Sequence, residues 1–272
     1  MTDTSLHPLD NAIKLEPQGG HRFRGRFPAS HFNMVGPYGG AIGAALMNAV
    51  LLHPERMGNP VAMTVNFAGP VQDADYEIIA RPARTNRSTQ HWMLELVQGG
   101  ETAVTGTLFM AVRRETWEDQ ELTMPDVPPA DDIPPLNTDG YLTWLQNYRF
   151  RVIDGHFDPS GRIPPQEDST TRLWMQDNPP RKLDFPALMA LSDGFFPRVF
   201  VRQQERSPAG TVSLTTYFHT DDDRLAASGD RPILGIARGQ KYFRNYFDQV
   251  AELWSEQGEL LATSHQVVYF KA

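Results

Sequence analysis

Phe185-Pro-Ala-Leu-Met-Ala-Leu-Ser-Asp193-Gly-Phe-Phe-Pro197 reads as a short apolar helix that ends on a turn. Pro186 suits a first helical turn, where its missing N–H is not needed. Gly194 and Pro197 bring the helix to an end. One carboxylate, Asp193, stands near that end beside Leu191, Phe195 and Phe196. An acid among apolar neighbours must be hydrogen-bonded, shifted in pKa or functional. Taken alone, the segment favours a structural carboxylate capping a turn at the surface. A second small apolar helix is predicted over Tyr38-Gly39-Gly40-Ala-Ile-Gly43-Ala-Ala-Leu46-Met47-Asn-Ala-Val50-Leu51. It is apolar almost all round and is therefore expected to be buried. Its glycines cost helix propensity, which points to close packing against a sheet or to a ligand at its N-terminus.

Strands surround both helices. Ala12–Leu15 has weak strand character, and His21–Phe27 alternates with one basic face. After the first helix come Val61–Phe67, Tyr76–Arg81, Thr89–Val97 and Thr102–Val112, read as a meander of four antiparallel strands. Gly99-Gly100 is a strong hairpin signal between the last two. In the second half the strands are Tyr148–Ile153, Thr171–Gln176, Gly210–His219, Ile233–Tyr242 continuing through Val250–Trp254, and Leu260–Phe270. The two halves read as one unit used twice. Glu95-Leu96 before Gly100-Glu101 matches Glu252-Leu253 before Gly258-Glu259, and Phe67 matches Phe218. A shared order of such matches marks a duplication. The expected fold is α+β, each unit a helix against a curled antiparallel sheet, with the sheets joined edge to edge to hide open strands. The units are expected over residues 1–114 and 140–272. Between them, 115–139 carries Glu115, Glu118, Asp119, Glu121, Asp126, Asp131, Asp132 and Asp139, no Lys or Arg, and five prolines. It reads as an extended acidic linker whose charge serves solvation.

Composition narrows the function. The 272 residues are 40% hydrophobic and 10% aromatic, enough for real cores. The absence of cysteine excludes disulfides, zinc–thiolate sites, iron–sulfur clusters and cysteine nucleophiles. It suits a reducing compartment, and a cytoplasmic location is expected. Met1–His7 shows no basic region followed by an apolar run, so no leader is expected. Ala41–Leu52 is too short to span a bilayer, so no membrane insertion is expected. A net charge of −8 argues against nucleic acid as a partner. No Gly-x-Ser-x-Gly elbow and no phosphate-binding glycine loop occur.

The two halves differ in chemistry. The first helix has no acid between Gly39 and Leu52; the second has Asp193. Thr211 opens the following strand and Gln266 interrupts the last one. A carboxylate, a hydroxyl and an amide can together hold a water molecule, and the carboxylate can take its proton as general base. N–H groups at a helix start, Gly39 and Gly40 here, can stabilise an oxyanion. Taken singly, Thr211 is an ordinary β-branched strand residue and Gln266 a polar strand position.

Tyr38-Gly39-Gly40-Ala-Ile-Gly43-Ala-Ala-Leu46, Phe67-Ala-Gly-Pro70, Asn86-Arg87-Ser88, Leu191-Ser192-Asp193, Thr211–His219 and Gly258–Gln266 resemble motifs of the type II acyl-CoA thioesterases, the double-hotdog class. The resemblance covers nearly the whole chain outside the linker. It implies two tandem hotdog units and hydrolysis of an acyl-CoA or related thioester, with no metal and no cofactor. It assigns the water-activating trio to Asp193, Thr211 and Gln266, and further association of the chain into a homo-oligomer is common in the family. Arg87, Arg238 and Lys241 are candidates for contacts to coenzyme A phosphates. The sequence departs from the family in Ser213-Leu214-Thr215, where an Asp-His-Ser run is usual, while Tyr217-Phe218-His219 keeps the aromatic-Phe-His ending. Two other readings compete. A hotdog hydratase would need a histidine near the acid, and His219 and His265 are the candidates on the expected strands. A non-catalytic acyl-CoA binding protein would use only an apolar tunnel between the units.

Overall fold

The computed structural model describes residues 6–158 and 160–271. Residues 1–5, read above for a leader, lie outside the described residues. The first unit contains α1 (Pro8–Ala12), β1 (Leu15–Gly19), β2 (Arg22–Gly25), α2 (Gly39–Leu51), β3 (Asn59–Phe67), β4 (Tyr76–Thr85), β5 (Thr89–Gln98) and β6 (Glu101–Ala111). The second contains β7 (Tyr148–Asp154), β8 (Thr171–Asp177), α3 (Phe185–Leu191), α4 (Arg198–Gln203), β9 (Ala209–Phe218), α5 (Asp222–Ser228), β10 (Ile233–Arg238), β11 (Tyr242–Phe243), β12 (Tyr246–Trp254) and β13 (Leu260–Phe270). Among the described residues the strands form one 13-stranded sheet, ordered β1-β2-β4-β5-β6-β3-β9-β13-β12-β10-β8-β7, with β11 paired to β12 off this path. Read from either end the order is the same, so the two units are hotdogs related by a pseudo-twofold axis between β3 and β9. No described helix is long and apolar enough to cross a membrane.

The strand after α2 corrects one expectation. β3 pairs with β6 and β9, not with β4, so only β4, β5 and β6 form a meander. Placing β3 outside the meander leaves its second edge free for the other unit's β9. There Thr64 faces Thr215, their hydroxyls 2.9 Å apart, and the Ser213 hydroxyl donates to Asn66 Oδ1 at 2.9 Å. The residues that depart from the usual Asp-His-Ser run therefore build the joint, and Leu214 between them is fully buried. The hairpin at Gly99-Gly100 forms as read, with both glycines at positive φ.

Other differences are local. The weak strand read over Ala12–Leu15 begins only at Leu15, and a short helix over Pro8–Ala12 precedes it, because Pro8 suits the first turn and the His7 imidazole accepts the Leu9 N–H. The helix at Phe185 ends at Leu191, and a separate helix, α4, follows Pro197. The single strand read over 233–254 is broken by a turn at Arg244–Asn245, both at positive φ. The acidic segment is extended and largely exposed, but it is strapped across the outer face of the second sheet. Trp174 Nε1 donates to Pro128 O at 2.9 Å, and Gln120 bonds both Gly258 O and the Leu260 N–H. Met124, Val127 and Ala130 cover Trp174, Leu234, Ile236 and Trp254 there. This is why β10 is apolar at successive positions and not only at alternate ones.

The main core lies between the inner face of the sheet and the two central helices. α2 and α3 pack against each other at unusually short range. A Cβ on Gly40 would lie 2.4 Å from Ala190 O, and Tyr38 donates its hydroxyl to the same carbonyl at 2.6 Å. A Cβ on Gly43 would lie 2.7 Å from the terminal methyl of Met189, a group that can swing away. Gly40→Ala is therefore expected to cost roughly 1–3 kcal/mol in urea unfolding, because backbone must move, and Gly43→Ala clearly less.

Candidate active site

Asp193 follows α3 by two residues. Its position depends on a buried polar brace. Ser192 Oγ donates to Met189 O at 2.7 Å and lies 2.9 Å from Thr216 Oγ1, and Ser264 Oγ donates to Ser192 O at 3.3 Å. Three elements, α3, β9 and β13, thereby lock the residue before the acid. Ser264 and Thr216 were not singled out from the sequence; their inward register is visible only once the strands are paired.

Gln266 is 3% exposed and faces inward from β13. Its Nε2 donates to Asp193 Oδ1 at 3.3 Å, and its Oε1 accepts the Thr211 hydroxyl at 3.0 Å. The structure thus brings Asp193, Thr211 and Gln266 together, but in series. Thr211 fixes which way the Gln266 amide points, and Gln266 presents N–H to the carboxylate. Thr211 reaches the inner face through a β-bulge. Val267 pairs with Ser213, yet Val268 pairs with Thr211, so Val212 is skipped and stands 40% exposed. Strict alternation from the inward Leu214 and Thr216 would turn Thr211 outward.

The other side of the carboxylate belongs to the first unit. Asp193 Oδ2 lies 2.8 Å from where a Gly39 Cβ would stand, and the Gly40 N–H hydrogen-bonds the carboxylate. Ala41 and Ile42 both donate to Tyr38 O, so Gly39 and Gly40 carry the N–H groups that precede the helical ladder. With a side chain at Gly39 the acid could not approach. Burial pushes the Asp193 pKa up to about 7; the Gln266 and Gly40 N–H groups oppose that shift only in part. The result is a carboxyl group poised near neutrality beside helix N–H donors.

The basic candidates fall elsewhere. Arg87 is exposed in the β4–β5 turn, at the end of the sheet where Asn59, Thr89 and Ala111 align. Asp193 and Gly39 sit instead by Phe67, at the other end of β3. Arg238 is exposed on the outer face, lining a groove with Glu252, Thr263 and His265, with the sheet between it and Gln266. Lys241 is exposed in the turn after β10, its N–H bonded to Asp248. One histidine and acid group among the described residues has metal-ligand spacing: His21, His53 and Glu55. His53 Nδ1 accepts the Glu55 N–H, which leaves its Nε2 to donate to His21 Nδ1 at 2.8 Å. That pair lies past the C-terminus of α2, a 13-residue helix away from Asp193.

Comparison with known proteins agrees with this architecture. Residues 28–111 match the acyl-CoA thioesterase N-terminal domain and residues 123–270 match the acyl-CoA thioesterase C-terminal domain. A conserved hot dog protein of unknown function from Alicyclobacillus acidocaldarius is 45% identical, with a TM-score of 0.93 over 98% of this chain and 99% of that one. The putative thioesterase II of Thermobifida fusca is 19% identical, with a TM-score of 0.83 over 97% of each chain. The acyl-CoA thioesterase II TesB2 of Mycobacterium marinum is 15% identical, with a TM-score of 0.76 over 97% of this chain and 98% of that one. At such identities the last two speak for the fold alone. No curated protein matches the chain by sequence. Matched through both of its halves, the chain belongs to the acyl-CoA thioesterase family, in the type II double-hotdog form.

Proposed function

We propose that the protein hydrolyses an acyl-CoA or closely related thioester with water activated by Asp193. Family membership supports thioester hydrolysis in general. The observation that carries the residue assignment is the Thr211–Gln266–Asp193 hydrogen-bond series set against the first turn of α2. In this reading ionised Asp193 accepts a proton from water as the water oxygen bonds to the thioester carbonyl carbon. The carbonyl π pair moves onto oxygen, and the oxyanion is held at the start of α2 by the Gly39 N–H and the positive end of the helix. Collapse breaks the C–S bond. The thiolate takes the proton from Asp193, leaving a free acid and a thiol. Thr211 acts through Gln266 by fixing its amide. The second N–H of Gln266 stays available to water or to the substrate carbonyl.

The hydratase reading loses its histidine. His219 is exposed, 3.0 Å from Thr263 Oγ1, and His265 is exposed beside Asp248 at 3.3 Å. Neither is hydrogen-bonded to Asp193 or Gln266.

Thiol release from a panel of acyl-CoAs tests the reading. Asp193→Ala should lower kcat by about 10²–10⁴-fold; an unchanged rate would remove Asp193 from the chemistry. With a folded pKa of about 7, kcat/KM should rise with pH and reach half its plateau near pH 7.

A stability measurement follows from the same group. The unfolded carboxyl ionises near pH 4, the folded one near 7, so between these values the native state holds a proton that the unfolded chain has lost. Native stability from Asp193 is fully present below about pH 4 and falls as pH rises toward 7. Asp193→Asn should therefore be more stable than wild type at pH 8, by on the order of 2–4 kcal/mol, with the gain shrinking to nothing near pH 4. Urea unfolding at the two pH values provides the comparison.

A further inference from the structure

Tyr38 stands where the two halves of the site meet, and nothing in the reaction above uses its hydroxyl. It directly precedes Gly39 and caps α2, its carbonyl accepting the N–H groups of Ala41 at 3.0 Å and Ile42 at 3.2 Å. Its side chain reaches into the other unit. The ring lies flat on Trp144, with centroids 4.0 Å apart and planes 4° from parallel. Trp144 belongs to a 3-10 turn, Thr143–Asn147, that is tied back to the first unit. Thr143 Oγ1 donates to Phe32 O at 3.0 Å, and Asn147 Nδ2 donates to Ser30 O at 2.8 Å. With 4% of its surface exposed, Tyr38 can influence the reaction only through its neighbours.

The hydroxyl lands on the end of α3 that carries the acid. The last carbonyls of a helix lack partners within it. Here the Ser192 hydroxyl bonds Met189 O at 2.7 Å, and the Gly194 N–H bonds Leu191 O at 2.9 Å. Ala190 O receives the Asp193 N–H at a longer 3.2 Å, and Tyr38 supplies it with a second donor at 2.6 Å. One carbonyl therefore joins the residue just before Gly39 to the backbone of Asp193. The spacing it fixes is tight. A Cβ on Gly40 would lie 2.4 Å from that carbonyl oxygen, and the Gly40 N–H hydrogen-bonds the Asp193 carboxylate. Without the hydroxyl, Ala190 O keeps only the longer bond, and the two helix ends lose the 2.6 Å link that sets their separation.

We propose that Tyr38 is a positioning residue for the hydrolysis, its hydroxyl holding the Asp193 carboxylate in register with the start of α2 across the joint between the units. The proposal rests on the thioesterase reading and deepens it.

Tyr38→Phe keeps the ring and its stacking on Trp144 and removes only the hydroxyl. With rates taken well below the variant's melting temperature, kcat for thiol release should fall about tenfold with KM unchanged, the size of one buried hydrogen bond. A second readout needs no substrate. The Gly40 N–H favours the ionised carboxylate, so an acid that draws away from it titrates at higher pH. Carbon-13 NMR of the Asp193 carboxyl, identified by its absence in Asp193→Asn, should give about 7 in wild type and a higher value in Tyr38→Phe. Tyr38 and Tyr148 are the phenols that feel the Asp193 charge, and burial pushes both far up, so they stay protonated throughout. Asp177, cross-strand from Tyr148, also titrates near 7, which is why the carboxyl carbon of Asp193 itself is followed. An unmoved titration with wild-type kcat would make the hydroxyl purely structural and overturn the proposal. A raised KM at unchanged kcat would overturn it too, and in both cases thioester hydrolysis stands. No thiol release by wild type would overturn the hydrolysis reading, while the titration still decides whether Tyr38 places the carboxylate.

Discussion

Along β3 and β9 two sheets share one antiparallel ladder, with Thr64 opposite Thr215 near the pseudo-twofold axis. Both strands directly follow a central helix region in their own unit, so pairing them brings the two helices side by side. The contact that results is α2 on α3, close enough that only glycine is accommodated at position 40. It puts the N-terminal turn of the first unit's helix against the C-terminal turn of the second's. The first supplies N–H groups and partial positive charge, and the second supplies a carboxylate just past its end. Neither unit alone would contain this arrangement.

A single carboxyl group set among apolar neighbours is held there by few partners. Gln266 and the Gly40 N–H stabilise the ionised form, burial disfavours it, and burial prevails until about neutral pH. A bidentate arginine would have anchored the acid more firmly and kept it ionised well below neutral pH. The supporting groups are instead uncharged: Thr211, Ser192, Thr216 and Ser264 orient without neutralising. The same restraint appears around Arg198, which is surrounded by carbonyls and a hydroxyl.

Asymmetry between the units explains the linker. The outer face of the second sheet carries Trp174, Leu234 and Trp254, and residues 124–130 cover it. Read as a string, the segment is prolines and acids and suggests only solvation. Its apolar members, Met124, Val127 and Ala130, are too sparse to form a pattern, and their purpose depends on a sheet face built from residues 44 or more positions later.

The sequence by itself determined the units and most of their parts. Apolar helices of the right length, alternating strands and a Gly99-Gly100 turn are local consequences of side-chain period and backbone freedom. It also singled out Asp193, because an acid in an apolar helix end has no partner within reach along the chain. What only the tertiary structure decided depends on pairing between distant strands. The place of β3 outside its meander depends on β9, some 150 residues away. The facing of Thr211 depends on the bulge at Val212, since period-two alternation from Leu214 turns it outward. Arg87 and Arg238 show the same limit in reverse. Their charge is legible in the sequence, but one lies at the far end of the sheet and the other behind it, because strand register and sheet face are set by partners that a linear reading does not contain.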